Sequence, residues 1–235
     1  MSSRVHEATV SRVVPIAEKV LELELTFPEP VSFRPGQFLS LRVGVDSDGN
    51  PILRSYSIAS SPGRREVTLI VKIIDGGTAS GWFAARKAGD RVELTGPMGF
   101  FVVDLAHAGD VVFGATGVGM APVLPMLDEV LARGEAGRVR LYWGNRRVNE
   151  LFWRAELEAR KAAHPRFDYH LYISGEEWSG RKGRILSGIV DELPRLERPT
   201  FYLVGNGGMI RDVKAALVER GVDRKRQIRN EAFFD

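Results

Sequence analysis

The chain has 235 residues, of which 44% are hydrophobic and 27% charged, and its net charge is +3; this composition is ordinary for a soluble globular protein of one large domain or two modest ones. It contains no cysteine, which excludes disulfides, thiolate zinc sites and cysteine-ligated iron–sulfur clusters within these residues. No apolar run approaches the ~18 residues of a membrane span, and the first 14 residues contain no signal-peptide core. We therefore expect a cytoplasmic protein without a membrane span.

Two further classes of partner are not expected from the sequence. The four histidines are scattered without metal-ligand spacing, so no metal site is predicted. The basic residues form no stripe with interleaved aromatic residues, so nucleic acid is not a predicted partner.

Residues 1–106 have the texture of strands and turns. Apolar residues alternate with polar ones in Leu21–Phe27, Leu39–Val43 and Val67–Ile73, a period of two that is typical of strands with one buried face. Glycine and proline clusters separate these runs. The pattern predicts an antiparallel β-barrel or sandwich, interrupted by one short helix over about Ser80–Lys87.

Residues 107–235 alternate between short apolar runs and amphipathic stretches, which predicts βαβ units and a parallel sheet covered on both faces. The predicted strands are Val111–Phe113, Val139–Trp143, Phe167–Ile173, Phe201–Val204 and Gln227–Phe234. The predicted helices cover about Ala121–Arg133, Asn149–Ala162, Ile185–Leu193 and Met209–Arg220. Gly134 and Gly221 are placed to end the first and last of these helices.

The segment Arg54-Ser55-Tyr56-Ser57 combines a fixed cation with a flat aromatic ring and small hydroxyl side chains. A guanidinium group can bind two oxygens of a diphosphate at once, and an aromatic ring can stack on a flat heterocycle. Taken alone, the segment also fits an edge strand with a surface arginine and a core tyrosine.

Two glycine-rich turns follow predicted strands of the parallel sheet, Thr116-Gly117-Val118-Gly119 and Gly205-Asn206-Gly207-Gly208. Ligands of such sheets bind beyond the carboxyl ends of the strands, and glycine lets backbone N–H groups approach a ligand closely. One such turn could be plain turn geometry, whereas two on neighbouring strands favour a binding site.

Five sequence blocks, in one order and spread over almost the whole chain, together resemble the ferredoxin–NADP reductase family. They are Pro35-Gly36-Gln37-Phe38, Arg54-x-Tyr56-Ser57, Gly76-Gly77-Thr78-Ala79-Ser80, Gly114–Pro122 and Val204–Met209. The resemblance implies an antiparallel FAD barrel followed by an α/β NAD(P) domain. It implies a hydride taken from NAD(P)H onto FAD and electrons passed singly to an external carrier such as ferredoxin or flavodoxin.

The resemblance also implies which residues bind the cofactors. For FAD they are Arg54, Ser55, Tyr56, Ser57, Val71, Lys72, Ile73, Thr78, Ala79 and Ser80, with Phe233 or Phe234 covering the second face of the flavin. For the nicotinamide coenzyme they are Thr116, Gly117, Val118, Gly119, Gly205, Asn206 and Met209. Tyr56, Ser57 and Thr116 would carry the catalytic roles.

The residues disagree about which coenzyme is used. Arg146 and Arg184 resemble arginines that reach the 2′-phosphate of NADPH, but Gly175 stands where NADPH-using relatives often carry an arginine, and Glu150 could repel the phosphate. The balance of these residues favours NADPH over NADH. One departure is Val204, which replaces a cysteine that many relatives have beside the nicotinamide.

Two alternative functions stay open at the level of the sequence. The chain could be the reductase component of an oxygenase system, with an oxygenase component as its protein electron acceptor. It could also be a non-catalytic flavin-binding electron-transfer subunit of a larger complex.

Overall fold

The computed structural model describes residues 5–134 and 137–234, and the chain divides into two compact units. The first unit runs to Val102 and includes Leu124–Met126, and the second begins at Val103. Within the described ranges, no helix is long and apolar enough to cross a membrane.

The first unit is built on one six-stranded antiparallel sheet. Its elements are β1 (Val5–Ala17), β2 (Val20–Thr26), β3 (Phe38–Val45), β4 (Pro51–Ser57), β5 (Glu66–Lys72), α1 (Thr78–Ala84) and β6 (Arg91–Met98). The strand order is β4-β3-β6-β1-β2-β5. Ile58, just past β4, bridges to Leu69 of β5, and the Ala59 N–H donates to the Thr68 carbonyl at 2.8 Å. These contacts join the two outer strands, so the sheet closes into the predicted barrel.

The alternating residues of the sequence face the barrel interior as expected. Leu23, Leu25, Val67 and Leu69 are fully buried, whereas Glu66 between these runs is exposed. Their aliphatic side chains form one core with those of β3 and β6, and burying each of them stabilises the fold by about 1.5–3 kcal/mol.

Two strands and one helix boundary of the first unit differ from the sequence prediction. β1 and β6 were not predicted. β1 departs from a period of two because its pairing with β2 is interrupted between Val10 and Arg12 and again between Pro15 and Ala17, and such bulges shift the alternation. α1 begins at Thr78 and ends at Ala84, earlier at both ends than predicted.

The second unit contains a six-stranded sheet in which every pairing is parallel. Its strands are β7 (Val111–Thr116), β8 (Val139–Asn145), β9 (Phe167–Ile173), β10 (Arg181–Lys182), β11 (Thr200–Asn206) and β12 (Ile228–Phe234), and its helices are α2 (Met120–Arg133), α3 (Arg154–Ala163), α4 (Ile185–Glu192) and α5 (Gly207–Glu219). The order β10-β9-β8-β7-β11-β12 reverses direction at β7, so the carboxyl ends of β7 and β11 form a topological switch point. The predicted fold class, an antiparallel barrel followed by an α/β domain, is confirmed.

The main difference in the second unit is the start of α3. The prediction began this helix at Asn149, but residues Val148–Glu150 form a separate 3₁₀ turn and α3 starts only at Arg154, after Trp153 with its left-handed φ of 54°. The Glu150 carboxylate accepts the N–H groups of Arg146 and Arg147, which fixes the turn and separates it from the helix.

Candidate functional site

The Arg54–Ser57 segment lies on β4, whose inward face supports α1. Alternation places Ile52, Arg54 and Tyr56 on one face of the strand, and Ile52 and Tyr56 pack against the barrel core. The Tyr56 ring contacts Phe83 of α1 edge to face, with centroids 4.9 Å apart. Arg54 therefore occupies the position between two side chains that anchor this face.

The beginning of α1 presents backbone donors to an anion. The Gly81 N–H donates to the Gly77 carbonyl at 3.0 Å, and Gly77 precedes the helix without a side-chain cap. Within the described part of the chain, the N–H groups of Thr78, Ala79 and Ser80 have no hydrogen-bond acceptor. Three such donors at a helix N-terminus carry a partial positive charge and suit a phosphate group.

Ser80 contributes to this site through its backbone, because its side chain is used elsewhere. Its hydroxyl oxygen accepts the Ile74 N–H at 2.8 Å and is buried. This bond holds the loop before α1 in place, and the sequence analysis did not predict it.

Arg54 supplies a cation on the same face. Its guanidinium is exposed and donates to the Leu53 carbonyl at 2.8 Å, and it forms no ion pair with a carboxylate in residues 5–134 or 137–234. Ile52, two residues earlier, and Thr78 of α1 both lie within 4.0 Å of the point where a Gly44 Cβ would stand. Ile52 of β4 and Thr78 of α1 therefore lie near one point, and the donors of Arg54 and of α1 are of the kind that suits a diphosphate.

Tyr56 is held as a neutral phenol. Burial raises the pKa of its hydroxyl to about 12, although the charge of Arg54 opposes the shift. A neutral, half-buried ring can stack on a flat heterocycle and still donate one hydrogen bond. Of its neighbours, Ser55 is exposed and Ser57 is buried.

Val71 and Lys72 end β5, and Ile73 directly follows it. Thr68 of β5 directs its carbonyl toward Ala59 and its N–H toward the Ser60 hydroxyl. By the strand period of two, the backbone groups of Lys72 point toward the same edge. The Ile73 N–H, in contrast, donates to the Lys19 carbonyl at 2.7 Å.

Gly36 belongs to one of the family-like sequence blocks, and the sequence did not reveal why this position is glycine. Its φ of +100° favours glycine, and a Cβ there would stand 1.8 Å from the Phe101 carbonyl oxygen. The next residue, Gln37, donates from its side chain to the Gly99 carbonyl at 3.2 Å. Only glycine allows this close packing of the Pro35–Phe38 loop.

In the second unit, the two glycine-rich turns interlock at the carboxyl ends of β7 and β11. The Asn206 N–H donates to the Thr116 hydroxyl oxygen at 2.8 Å. Gly205 has a φ of +119°, and a Cβ there would stand 2.3 Å from the same hydroxyl oxygen. A Cβ on Gly119 would stand 2.8 Å from the Val204 carbonyl oxygen. The turns that the sequence placed on neighbouring strands are thus in direct contact.

Side chains fix both turns and define which donors are left for a ligand. The Trp143 indole N–H donates to the Gly117 carbonyl at 2.9 Å, and the Asn206 side-chain oxygen accepts the Met209 N–H at 3.1 Å. Asn206 is therefore the N-cap of α5, and Met209 has its N–H satisfied. The N–H groups of Gly207 and Gly208 precede that of Met209 in the first turn of α5, where an anion can approach.

The predicted phosphate-binding arginines differ in their surroundings. Arg184 precedes α4 and pairs with Asp212 of α5 at 3.5 Å. Arg146 follows β8 with an exposed side chain, and its backbone N–H donates to Glu150 at 2.9 Å. Both residues belong to the second unit, at or beyond strand ends.

The two phenylalanines that were predicted to cover the second face of the flavin lie near the end of the chain. Phe233 is half-buried on β12, and the side chain of Phe234 lies outside the described part of the structure. The role of both residues at the flavin stays a prediction.

Comparisons with known proteins identify the domain family of each unit. Residues 7–103 match the model of the oxidoreductase FAD-binding domain, and residues 113–215 match that of the oxidoreductase NAD-binding domain. The chain is 30% identical to ferredoxin–NADP reductase B of Sorangium cellulosum, over 93% of this chain and 94% of the relative.

Two further relatives are longer than this chain. The reductase component DmpP of phenol 2-monooxygenase from Pseudomonas sp. is 34% identical, and the match covers 97% of this chain but 65% of the relative. The cytochrome P450 reductase GcoB of Amycolatopsis superposes with a TM-score of 0.91 at 29% identity, over 99% of this chain and 71% of that structure. With both domain models matched and a relative covered almost end to end, the chain belongs to the ferredoxin–NADP reductase family of FAD- and NAD-binding oxidoreductases.

Proposed function

We propose that the chain transfers reducing equivalents from a nicotinamide coenzyme, through FAD, to an external one-electron carrier. The observation that carries the proposal is the pair of donor sets, one in each unit: Arg54 with the N–H groups of Thr78–Ser80, and the interlocked turns at Thr116 and Gly205. When bound, FAD would supply the ability to accept a hydride and to release electrons one at a time.

The residues of the first unit would hold and orient the flavin. Arg54 and the start of α1 offer charge-assisted hydrogen bonds to the diphosphate, the neutral Tyr56 offers a ring to stack on the flavin, and Ser57 is its neighbour on the strand. In the second unit, Thr116 and Gly117–Gly119 would position the nicotinamide end of the coenzyme, and Gly205 would keep the turn next to Thr116 free of a side chain.

We propose ferredoxin or flavodoxin as the type of carrier. Support comes from the match to a ferredoxin–NADP reductase over nearly its whole length, and from the absence of cysteine in these 235 residues, because cysteine-ligated iron–sulfur chemistry must then lie on another molecule or segment. A cytoplasmic location stays a prediction from the sequence.

The second candidate is the reductase component of an oxygenase system. It is favoured by the similarity to the phenol 2-monooxygenase reductase component, of which the chain spans about two thirds. In that case the electron acceptor would be an oxygenase component or its own carrier.

One set of assays tests the proposal and separates its rivals. We expect the purified protein to be yellow with noncovalent FAD, and to oxidise NADH or NADPH continuously with ferricyanide as an artificial acceptor. FAD binding without coenzyme oxidation would favour the non-catalytic electron-transfer subunit, and a protein that cannot be reconstituted with FAD would contradict the proposal. Rates with purified ferredoxin, flavodoxin and oxygenase components would then rank the carriers.

A further inference from the structure

Trp143 connects strand β8 to the glycine turn that follows β7. Its side chain is fully buried, and its indole N–H donates to the Gly117 carbonyl at 2.9 Å. In the sheet, Trp143 lies opposite Ala115, two residues before Gly117. The other neighbour of β7 also holds this turn, since the Asn206 N–H at the end of β11 donates to the Thr116 hydroxyl oxygen at 2.8 Å. Hydrogen bonds therefore restrain the turn from both sides.

The bond from Trp143 sets the direction of one backbone donor. The Gly117 carbonyl and the Val118 N–H belong to the same peptide group, and in a planar trans peptide these two bonds point in opposite directions. Because the carbonyl points at the indole, the Val118 N–H points away from it. This N–H lies in the first turn of a helical segment that begins at Gly117, where N–H groups have no intrahelical acceptor. It stands at the carboxyl end of β7, the edge at which ligands of parallel sheets bind.

Gly117 makes the turn dependent on such a restraint. Its φ of +54° is left-handed, and a Cβ there would meet no atom of the described residues within 4 Å. A glycine beside open space has wide freedom in φ and ψ, so packing alone does not fix this peptide group. The Met120 N–H also donates to the Gly117 carbonyl, but that bond lies within the same segment and moves with it. The Trp143 indole, in contrast, ties the Gly117 peptide to a neighbouring strand.

Phe152 holds the indole ring in place. The two rings contact edge to face with centroids 4.9 Å apart, and Phe152 is only 4% exposed. Trp153, the residue before α3, packs against the other side of this contact, with its ring 5.0 Å from that of Phe152. A side chain locked by packing can hold a bonded group in one orientation. The packing alone would also fit an ordinary core tryptophan, and the bond to the turn is what distinguishes the two roles.

We infer that Trp143 is a positioning residue for the nicotinamide coenzyme. Through the Gly117 carbonyl, it directs the Val118 N–H toward the part of the coenzyme beyond the adenosine, where the diphosphate and the nicotinamide lie. The inference rests on the proposed function, because a coenzyme at this edge is what would use the donor. Trp143 is fully buried and acts through the turn, without touching the coenzyme.

The test removes the indole N–H and keeps an aromatic ring at position 143. Trp143→Phe is the simplest variant. Replacement of Trp143 by β-(3-benzothienyl)alanine, in which sulfur takes the place of the N–H, preserves the shape of the side chain should phenylalanine unfold the protein. Tyr202→Phe is the matched control, since it also breaks one bond between a buried side chain and the backbone: the Tyr202 hydroxyl oxygen accepts the Asp104 N–H at 2.9 Å.

Two measurements separate positioning from stability. Calorimetric titration would give the Kd of the better bound of NAD⁺ and NADP⁺, and the Kd of the matching adenosine fragment, AMP or 2′-phospho-AMP. Stopped-flow absorbance would give the rate constant of flavin reduction by the corresponding reduced coenzyme.

Both Trp143 variants should raise the Kd of the dinucleotide by about five-fold, because a hydrogen bond to the turn is lost. They should slow flavin reduction by about ten-fold, because the reacting atoms are less well placed. The Kd of the adenosine fragment should change by less than about two-fold, because that end of the coenzyme does not use the donor. Tyr202→Phe should alter none of the three values.

Equal shifts of the dinucleotide and fragment Kd would overturn the inference and leave the proposed function intact. So would an unchanged dinucleotide Kd and an unchanged rate of flavin reduction in the benzothienyl variant, since Trp143 would then serve the core alone. A lower Tm without any change in these values, in Trp143→Phe and Tyr202→Phe alike, would lead to the same conclusion. A wild type that holds FAD but binds neither dinucleotide would instead contradict the proposed function itself.

Discussion

Arg54 is exposed on β4 and forms no ion pair with a carboxylate in the described residues. Several other arginines in the described part of the barrel are paired: Arg42 with Glu93, Arg91 with Glu7 and Arg86 with Asp90. An unpaired guanidinium keeps its charge and its donors available for a ligand. At the residue scale, Arg54 is therefore the side chain on which FAD affinity should depend most.

Arg54→Ala should raise the Kd for FAD by about 30-fold, because charge-assisted hydrogen bonds to a diphosphate contribute about 2 kcal/mol. Fluorescence titration of the apoprotein with FAD would measure the change. Arg42→Ala is the matched control, since Arg42 is exposed on the neighbouring strand and already bound to Glu93. Equal weakening in both variants would show that only the overall charge matters.

The candidate site residues were predicted from the sequence, but their surroundings could not be. Arg54, Tyr56 and Thr116 could be singled out because their chemistry is local to short motifs. The packing of Gly36 against Phe101, and of Gly205 against Thr116, depends on contacts between distant segments. Neither hydrophobic periodicity nor composition encodes such a contact. The sequence therefore located these glycines but could not show why glycine is required at them.

At the scale of elements, Asp110 joins three segments at the amino edge of the parallel sheet. Its carboxylate accepts the Arg138 N–H at 2.6 Å and the Glu197 N–H at 2.8 Å, and its carbonyl accepts the Thr200 N–H at 2.9 Å. These residues lead into β8 and β11, on either side of β7. Asp110 is only 4% exposed, so its hydrogen bonds are shielded from water.

Asp110→Asn should lower the free energy of unfolding by about 2 kcal/mol, because an amide has one acceptor oxygen where the carboxylate has two, and one buried N–H loses its partner. Urea unfolding followed by circular dichroism would measure the loss. Nicotinamide coenzyme affinity should not change, since Asp110 lies at the edge opposite the glycine turns.

Asp104→Asn is the control for this prediction. Asp104 is exposed and accepts the Ala106 N–H at 3.1 Å, so its substitution should cost less than about 0.5 kcal/mol. A comparable loss in both variants would argue against Asp110 as the junction of the strands.

Regular elements were predicted well and interrupted ones poorly. β2 and β5 show a period of two over most of their length, and they were identified. β1 was missed because its bulges move apolar residues from one face to the other. The start of α3 was placed too early because Glu150 caps a separate turn through backbone N–H groups, a side-chain contact that helical periodicity does not show.

At the scale of the whole molecule, we expect the donors of the first unit to bind the diphosphate of FAD more strongly than its ring. Added FAD should therefore raise the Tm of the apoprotein by about 5 °C or more at one hundred times its Kd, where mass action contributes about 2.7 kcal/mol. Riboflavin, which lacks the diphosphate, should shift the Tm far less at the same concentration. Differential scanning calorimetry would compare them, and equal shifts would indicate that the flavin ring dominates binding.

The contact between the glycine turns limits how this sequence can change over evolutionary time. Since a methyl group on Gly205 or Gly119 would overlap with the opposing strand end, even alanine, the most conservative replacement, would force β7 and β11 apart at the proposed nicotinamide site. A saturation library selected for activity should thus be almost empty at these two positions, while Val218, far along α5 and 44% exposed, should accept many residues. In this region, tolerance to substitution is set by the space between backbones and not by contact with a ligand.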